Sequence, residues 1–216
     1  MTPKTEWPVI AAEPETVPGL YQNYIVILAA VPAVFGFIRS SLIGYSFLGV
    51  TYRAPFGAGL VGMILQYVLS LVLVFVMALI IDALAPTFNG QKNQVNALKT
   101  AAYAYTASWI ASIALILPVI GWLIAIAGGI YGIYLFYLGL PHTMKCPPEK
   151  AGGYTAVSMI IAIVLTWIVM IVVGGIVGTG AMMGGAGAFR GAGNVSYDRD
   201  SALGRLAVIG QKAAEA

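Results

Sequence analysis

The sequence predicts an all-α integral membrane protein that crosses the bilayer about five times, and three observations lead to this fold class. Hydrophobic residues make up 60% of the 216 residues and charged residues only 9%, a balance far from that of soluble domains. The mean hydropathy is +0.89. Several uncharged stretches also reach the roughly 20 residues that a helix needs to cross a bilayer. The single cysteine, Cys146, excludes an internal disulfide.

The predicted spans follow the uncharged stretches in chain order. The third and fourth spans come from one run of 42 residues between Lys99 and His142, which Pro118–Gly121 divides with residues typical of a tight turn. This run predicts a helical hairpin. The five predicted spans are Tyr24–Ile43, Leu60–Leu84, Ala101–Leu117, Ile120–Leu140 and Tyr154–Val177.

The tails divide the chain into an amino-terminal segment 1–23, a membrane domain 24–178 and a carboxyl-terminal segment 179–216. Thr5–Ala12, with Trp7, fits either a short helix in the membrane interface or an irregular lead-in. Gly174–Gly193 is rich in Gly, Ala and Met, so helix propensity falls and loose order is expected. Ser201–Glu215 has apolar residues at helical spacing and predicts a short amphipathic helix.

Basic residues in the short loops predict the orientation. With the amino terminus in the cytoplasm, five lysines lie inside and three arginines lie outside, which satisfies the positive-inside rule. The carboxyl terminus then lies on the opposite side of the membrane. The basic residues are scattered over the loops and not clustered with aromatics, so no nucleic-acid partner is predicted.

Small residues form the most specific pattern inside the spans. Four glycines of the fourth span are separated by 7, 4 and 7 residues, which places them within about 20° of one helix face. Such a bare stripe allows close helix contact, within one chain or between copies in a homo-oligomer. The glycines are Gly121, Gly128, Gly132 and Gly139, and the candidate partner positions are Ser108 and Ser112 of the third span and Ser158 and Thr166 of the fifth.

Two charged residues, Asp82 and Arg39, lie near predicted span ends. Charge inside a bilayer is unfavourable and often functional, so each is either an interfacial anchor or part of a transport path. No catalytic residues are predicted, because the intramembrane serines have no His or carboxylate beside them. His142 and Cys146 supply only two potential ligands, so no metal site and no cofactor are predicted.

Aromatic side chains are concentrated in the third and fourth spans. They fit the usual aromatic belt of membrane interfaces, and the alternative is a lining for a lipid or another apolar ligand. The residues are Tyr103, Tyr105, Trp109, Tyr131, Tyr134, Phe136 and Tyr137.

Three segments resemble bacterial members of the Yip family, the Ypt/Rab-GTPase-interacting membrane proteins, and the likeness covers residues 1 to about 180. They read PKTEWPVIAAEPETVPGLYQNYI, ALKTAAYAYTASWIASI and LPVIGWLIAIAGGIYGIYLFYLGLPHTMKCPPEKAGGYTAV. The resemblance implies five spans, with the amino terminus in the cytosol and the carboxyl terminus opposite. This sequence lacks the long acidic amino-terminal region through which eukaryotic members are thought to meet GTPases, so GTPase binding is not expected.

The sequence and the resemblance together predict a non-enzymatic protein of the bacterial inner membrane. We expect it to act in membrane organisation or scaffolding, through helix packing and binding to itself or to other membrane proteins. The alternative is a homo-oligomeric channel or small-solute transporter, since backbone carbonyls and hydroxyls can line a pore without charged residues.

Overall fold

Helices dominate the computed structural model, which describes residues 2–47, 50–118, 120–183 and 194–197. The amino-terminal helix α1 covers Pro3–Ala12, where the sequence fits a helix or an irregular lead-in. The predicted terminal helix at Ser201–Glu215 lies outside the described residues.

The first span is one continuous helical rod, Val17–Ile43. It begins with α2 (Val17–Leu20), whose start is capped by the Thr16 hydroxyl accepting from the Gly19 N–H at 3.2 Å. A π-helical turn leads into α3 (Val26–Phe37), and a second π-helical turn ends the rod. The rod begins seven residues before the predicted start, because an uncharged run of Val, Pro and Gly can enter a helix at its first turn.

The second span is α4 (Phe56–Leu84), followed by a 3-10 turn, Ala85–Phe88. Asn89 ends it in the left-handed conformation, with φ of 57°. Asn tolerates that conformation better than most residues, which makes it a common helix stop.

A helical hairpin follows, as the sequence predicts. Helix α5 (Gln94–Ala111) is capped by the Asn93 side chain, runs into a 3-10 turn at Ser112–Ile116, and is joined by a short connection to α6 (Ile120–Thr143). The predicted start at Ala101 is wrong by seven residues, because the charge of Lys99 does not end the helix: the structure places this lysine inside it.

Helix α7 (Pro148–Met183) is longer than its predicted span in both directions. The expectation that helical order fades from Gly174 is wrong as far as Met183. In an apolar surrounding the backbone has no water to bond with, so a glycine-rich segment retains its internal helical hydrogen bonds.

The sequence did not predict three short antiparallel strands: β1 (Tyr45–Phe47), β2 (Val50–Arg53) and β3 (Asn194–Tyr197). In register, Tyr45 pairs with Tyr52, and Val50 pairs with Tyr197. The sheet brings the chain after α7 to the end of the bundle that holds the α3–α4 connection. Helix α1 lies at the other end, which is called the amino-terminal end below.

Within the described residues, four helices are long and apolar enough to cross a membrane: Val17–Ile43, Phe56–Phe88, Ile120–Thr143 and Pro148–Ile176. Helix α5 and its 3-10 extension, together called the α5 unit, form the remaining long helix of the described chain. Helix α5 lies at the centre of the bundle, in contact with α1, α2, α3, α4 and α6. This arrangement agrees with the all-α prediction of about five transmembrane helices. The predicted domain boundaries stay a prediction.

Candidate functional site

The amino-terminal end of the bundle contains a buried lysine that holds α1 in place. The Lys99 ammonium group belongs to a residue only 2% exposed and donates to the backbone carbonyls of Ile10, at 2.7 Å, and Glu13, at 2.5 Å. These carbonyls belong to the last turn of α1 and the residue after it, where helical carbonyls lack partners and carry partial negative charge. The charged lysine therefore caps α1 and ties it to the central helix.

A second contact fixes the other face of α1. The Trp7 ring is buried against Gly139 of α6, and a Cβ at that glycine would lie only 2.8 Å from the ring. Trp7 also meets Tyr103 of α5 edge to face, with ring centroids 6.3 Å apart. Helix α1 is thus packed into the bundle and does not simply rest on the membrane surface.

Hydrogen bonds join α5 to the end of α6 beneath α1. The Thr100 hydroxyl donates to the Thr143 hydroxyl at 2.6 Å, and the Asn96 amide donates to the Thr143 carbonyl at 3.2 Å. The Gln91 N–H donates to the Met144 carbonyl at 2.7 Å. This end is therefore a hydrogen-bonded platform, and it includes the connection before α7.

A groove of about 300 Å³ runs from α1 along α5 and α6. Tyr24 and Tyr103 lie side by side in its wall, with centroids 4.8 Å apart, and Tyr24 hydrogen-bonds Thr106 at 2.7 Å. Of the aromatic residues singled out in the sequence, Tyr103 and Tyr131 line this groove. Its volume is at the lower end of the range for small-molecule pockets.

The four glycines of α6 face partners in the same chain. A Cβ at Gly132 would lie 2.8 Å from the Ala104 carbonyl, and one at Gly128 would overlap the Ala111 Cβ. At Gly121 an added Cβ would overlap the Ala114 carbonyl. The nearest atoms to the four glycines therefore belong to α5, its 3-10 extension and Trp7, all in the same chain.

Of the four predicted polar partners of the glycines, only Ser108 supplies an atom among those nearest to them. The Ser108 hydroxyl would lie 3.4 Å from a Cβ added at Gly132, whereas Ser112 bonds its own helix through the Trp109 carbonyl at 2.5 Å. Thr166 bonds the Ala162 carbonyl one turn earlier. Ser158 is fully buried, and α7, which carries both Ser158 and Thr166, supplies none of the nearest atoms to the glycines.

Asp82 and Arg39 lie at opposite ends of the bundle and do not meet. Arg39 donates to the Gly44 carbonyl and lies over the Tyr45 ring, 4.9 Å from its centroid, which is typical of an interfacial anchor. Asp82 Oδ1 is buried and has no hydrogen-bond partner within the described part of the chain. Ser158 Oγ shares this property.

Two further features limit the chemistry available inside the bundle. A central cavity of only about 70 Å³ lies between α4, α5, α6 and α7, with mostly apolar walls. Cys146 is 3% exposed, and burial raises the pKa of its thiol, which lowers its reactivity as a nucleophile.

Sequence reasoning missed Lys99 and Trp7 as the residues that hold α1 to the bundle. Because the predicted spans are placed between charged residues, Lys99 is assigned to the loop before the third span. A signal was present: Asn93 is a good helix cap, and the residues from Gln94 onward contain no Gly or Pro until Pro118. A helix that begins at Gln94 includes Lys99, so this charge lies inside the helix and not in a loop.

The chain matches a known protein family and is similar to known membrane proteins. The family model described as Yip1 domain matches residues 1–171. The chain is similar to Inner membrane protein YohC of Escherichia coli strain K12, with 26% identity over 167 residues, which is 76% of this chain and 85% of that relative. The protein of the same name from Escherichia coli O6:H1 shows the same similarity. No solved structure matches the chain.

Proposed function

Because the chain belongs to the Yip1 domain family, we propose that this integral membrane protein is a non-enzymatic organiser of the bacterial inner membrane. It works by presenting an apolar helix surface to other membrane proteins or to a second copy of itself. One observation supports this proposal above others: α7 packs mainly against α4, its 3-10 extension and α6. Its outer face exposes Ile160, Ile163, Val164, Trp167, Ile168 and Ile171.

The contacts of the glycine stripe also favour the outer face of α7 as the association surface. Gly121, Gly128 and Gly132 pack against the α5 unit, so these residues are not free to hold a second copy. The broad outer face of α7 remains available for association in the membrane. GTPase binding is not part of the proposal.

A photo-crosslinking pair tests the proposal. Trp167 on α7 and Trp122 on α6 are equally exposed, each at 64%, so a benzophenone amino acid at either position samples the bilayer equally. We expect protein adducts from position 167 in intact membranes, and only lipid adducts from position 122. Equal protein adducts from both positions, or none from 167, would contradict an association surface on α7.

We also propose that the amino-terminal end of the bundle faces the cytoplasm, in line with the distribution of basic residues. Cys146 is a poor reporter because it is buried, so the test uses exposed positions in a Cys146→Ser background. Lys92→Cys lies at the amino-terminal end and Pro118→Cys at the other end. An impermeant thiol reagent applied to intact cells should label only the second variant, and labelling of the first would reverse the orientation.

A channel or small-solute transporter is the second candidate, favoured by the unpartnered oxygens of Asp82 and Ser158. Buried polar groups without partners are rare and often mark a functional path. Solute flux into protein-containing liposomes tests this interpretation. Flux that Asp82→Asn abolishes would favour transport over organisation.

A further inference from the structure

The groove beneath α1 has a charged residue at one end and apolar residues at the other, as a phospholipid does. One end lies at α1, where Glu6 is an exposed lining residue. The other end lies deeper along α5, where Ala107 and Ile110 line the wall. Along α5 the lining extends from Tyr103 to Ile110, which is about 10 Å at the helical rise. A charged headgroup at the mouth and an acyl chain along the apolar end would follow this gradient.

The mouth of the groove carries negative charge. Glu6 supplies this charge within the described lining. The nearby cation, Lys99, does not line the groove, and its ammonium already donates to two carbonyls. The described lining residues include neither Lys nor Arg. An anionic headgroup would therefore meet a carboxylate in the described lining and no lysine or arginine there.

Aromatic rings make the same end favourable for an ammonium group. Trp7, Tyr24 and Tyr103 form a connected cluster in the wall. Ring faces attract cations, and aromatic clusters recognise substituted ammonium groups in this way. The Thr106 hydroxyl donates to the Ala102 carbonyl, so the Tyr24 hydroxyl is the donor in the Tyr24–Thr106 bond. The Tyr24 oxygen can then still accept a hydrogen bond from a ligand.

From these observations we propose that the groove is a binding site for a phospholipid with a primary ammonium headgroup, such as phosphatidylethanolamine, from the leaflet at the amino-terminal end. Glu6 binds the ammonium, the Tyr24 and Tyr103 rings lie on one side of it, and an acyl chain lies against Ala107 and Ile110. The site goes beyond the proposed association surface, which lies on α7. Failure of either proposal leaves the other intact.

The test measures headgroup preference on the purified full-length protein. Protein in neutral detergent is mixed with equal amounts of phosphatidylethanolamine and phosphatidylglycerol of identical acyl chains, and native mass spectrometry counts the bound lipids. A desolvated cation–aromatic contact together with one charge pair corresponds to about a tenfold preference. We therefore expect about ten bound phosphatidylethanolamine molecules for each phosphatidylglycerol.

Two substitutions at an exposed residue locate the preference. Glu6→Gln removes the charge and should reduce the ratio to about three or less, while Glu6→Lys should reverse it in favour of phosphatidylglycerol. Glu149→Gln is the matched control, because Glu149 is also exposed at the amino-terminal end but does not line the groove. It should leave the ratio unchanged. Melting curves without added lipid verify that all variants fold alike.

Three outcomes would overturn the site. A wild-type ratio near one would mean that the groove does not select headgroups. An unchanged ratio in both Glu6 variants would place any selectivity elsewhere. An equal reduction by Glu149→Gln would attribute the effect to general surface charge.

Discussion

Helices α5 and α7 show opposite relations between sequence and position. Helix α7 contains one of the most apolar segments of the chain and is largely exposed at the surface of the bundle. Helix α5 includes a lysine, an asparagine, two threonines and a serine, yet eight of its residues are buried, against six in α6 and five in α4. In a water-soluble bundle the more apolar helix would lie inside.

The reversal follows from the solvent. Lipid tails are as apolar as leucine, so burying a large apolar side chain between helices gains little, and close packing of small residues gains more. Helix α5 supplies alanines at 97, 101, 102 and 104, all buried. The hydroxyls of Thr100 and Thr106 find partners inside the bundle, where an unpaired hydroxyl would be unfavourable. The central helix is therefore selected by size and hydrogen bonding, and the outer helix by apolarity.

The largest effect is expected from filling the contact between α6 and α5. Gly128→Leu and Gly132→Leu insert a side chain where even a Cβ would overlap Ala111 or lie 2.8 Å from the Ala104 carbonyl. Overpacking by a few methylenes already costs about 1–3 kcal/mol, so we expect losses beyond about 3 kcal/mol and a strongly lowered Tm in detergent.

Neighbouring positions provide the controls for this contact. Gly129→Leu carries the same change in helix propensity, but a Cβ at Gly129 meets nothing within 4 Å. Ile126→Leu and Ile130→Leu alter exposed residues of the same helix. All three should retain a Tm near that of the wild type. Equal tolerance of the Gly128 and Gly132 variants would remove the stripe as a packing surface.

The same contrast explains what could be predicted from the sequence. Uncharged length identified the outer spans, because apolarity is what lipid requires of them. The glycine stripe of α6 could also be identified, since periodicity is visible in the sequence. The start of α5 could not, because Lys99 satisfies its charge through the Ile10 and Glu13 carbonyls, far away in sequence. The strand pairing at Val50 likewise depends on a distant segment.

The next largest difference in stability is expected between large-to-small substitutions on α5 and on α7. Leu98→Ala on α5 removes a side chain that is 1% exposed, and Ile171→Ala on α7 removes one that is 67% exposed. We expect Leu98→Ala to cost about 2 kcal/mol, at the lower end of the range for buried leucines, because the cavity term remains while the transfer term is small in lipid. Ile171→Ala should have almost no effect. Similar shifts in Tm for the two variants would contradict the comparison.

The buried lysine gives a smaller and more local effect. Lys99→Met keeps the length of the side chain but removes both hydrogen bonds to α1, and bonds to charged groups are worth about 1.5–3 kcal/mol. The removed desolvation of the ammonium offsets part of this, so we expect a loss of about 1.5 kcal/mol. Hydrogen exchange should increase in residues 3–12 more than in α7. Lys92→Met, at an exposed position, is the control, and unchanged exchange in α1 would disprove the anchoring role of Lys99.

The smallest effect is expected at Asp82, which tests whether a charge at the α4–α7 contact matters to the outer helix. The residue is partly exposed near the amino-terminal end of the bundle although its Oδ1 is buried, and Asp82→Asn keeps the shape of the side chain and removes its charge. The new amide can donate where Oδ1 now has no described partner. We therefore expect a change in stability within about 0.5 kcal/mol, as for surface substitutions. Ser158→Ala, which removes an unpartnered oxygen on α7, is a matched test and should also be nearly neutral or slightly stabilising. A pronounced loss of stability in either variant would show that α7 is held by polar contacts as α5 is, and the division between a polar central helix and an apolar outer helix would then fail.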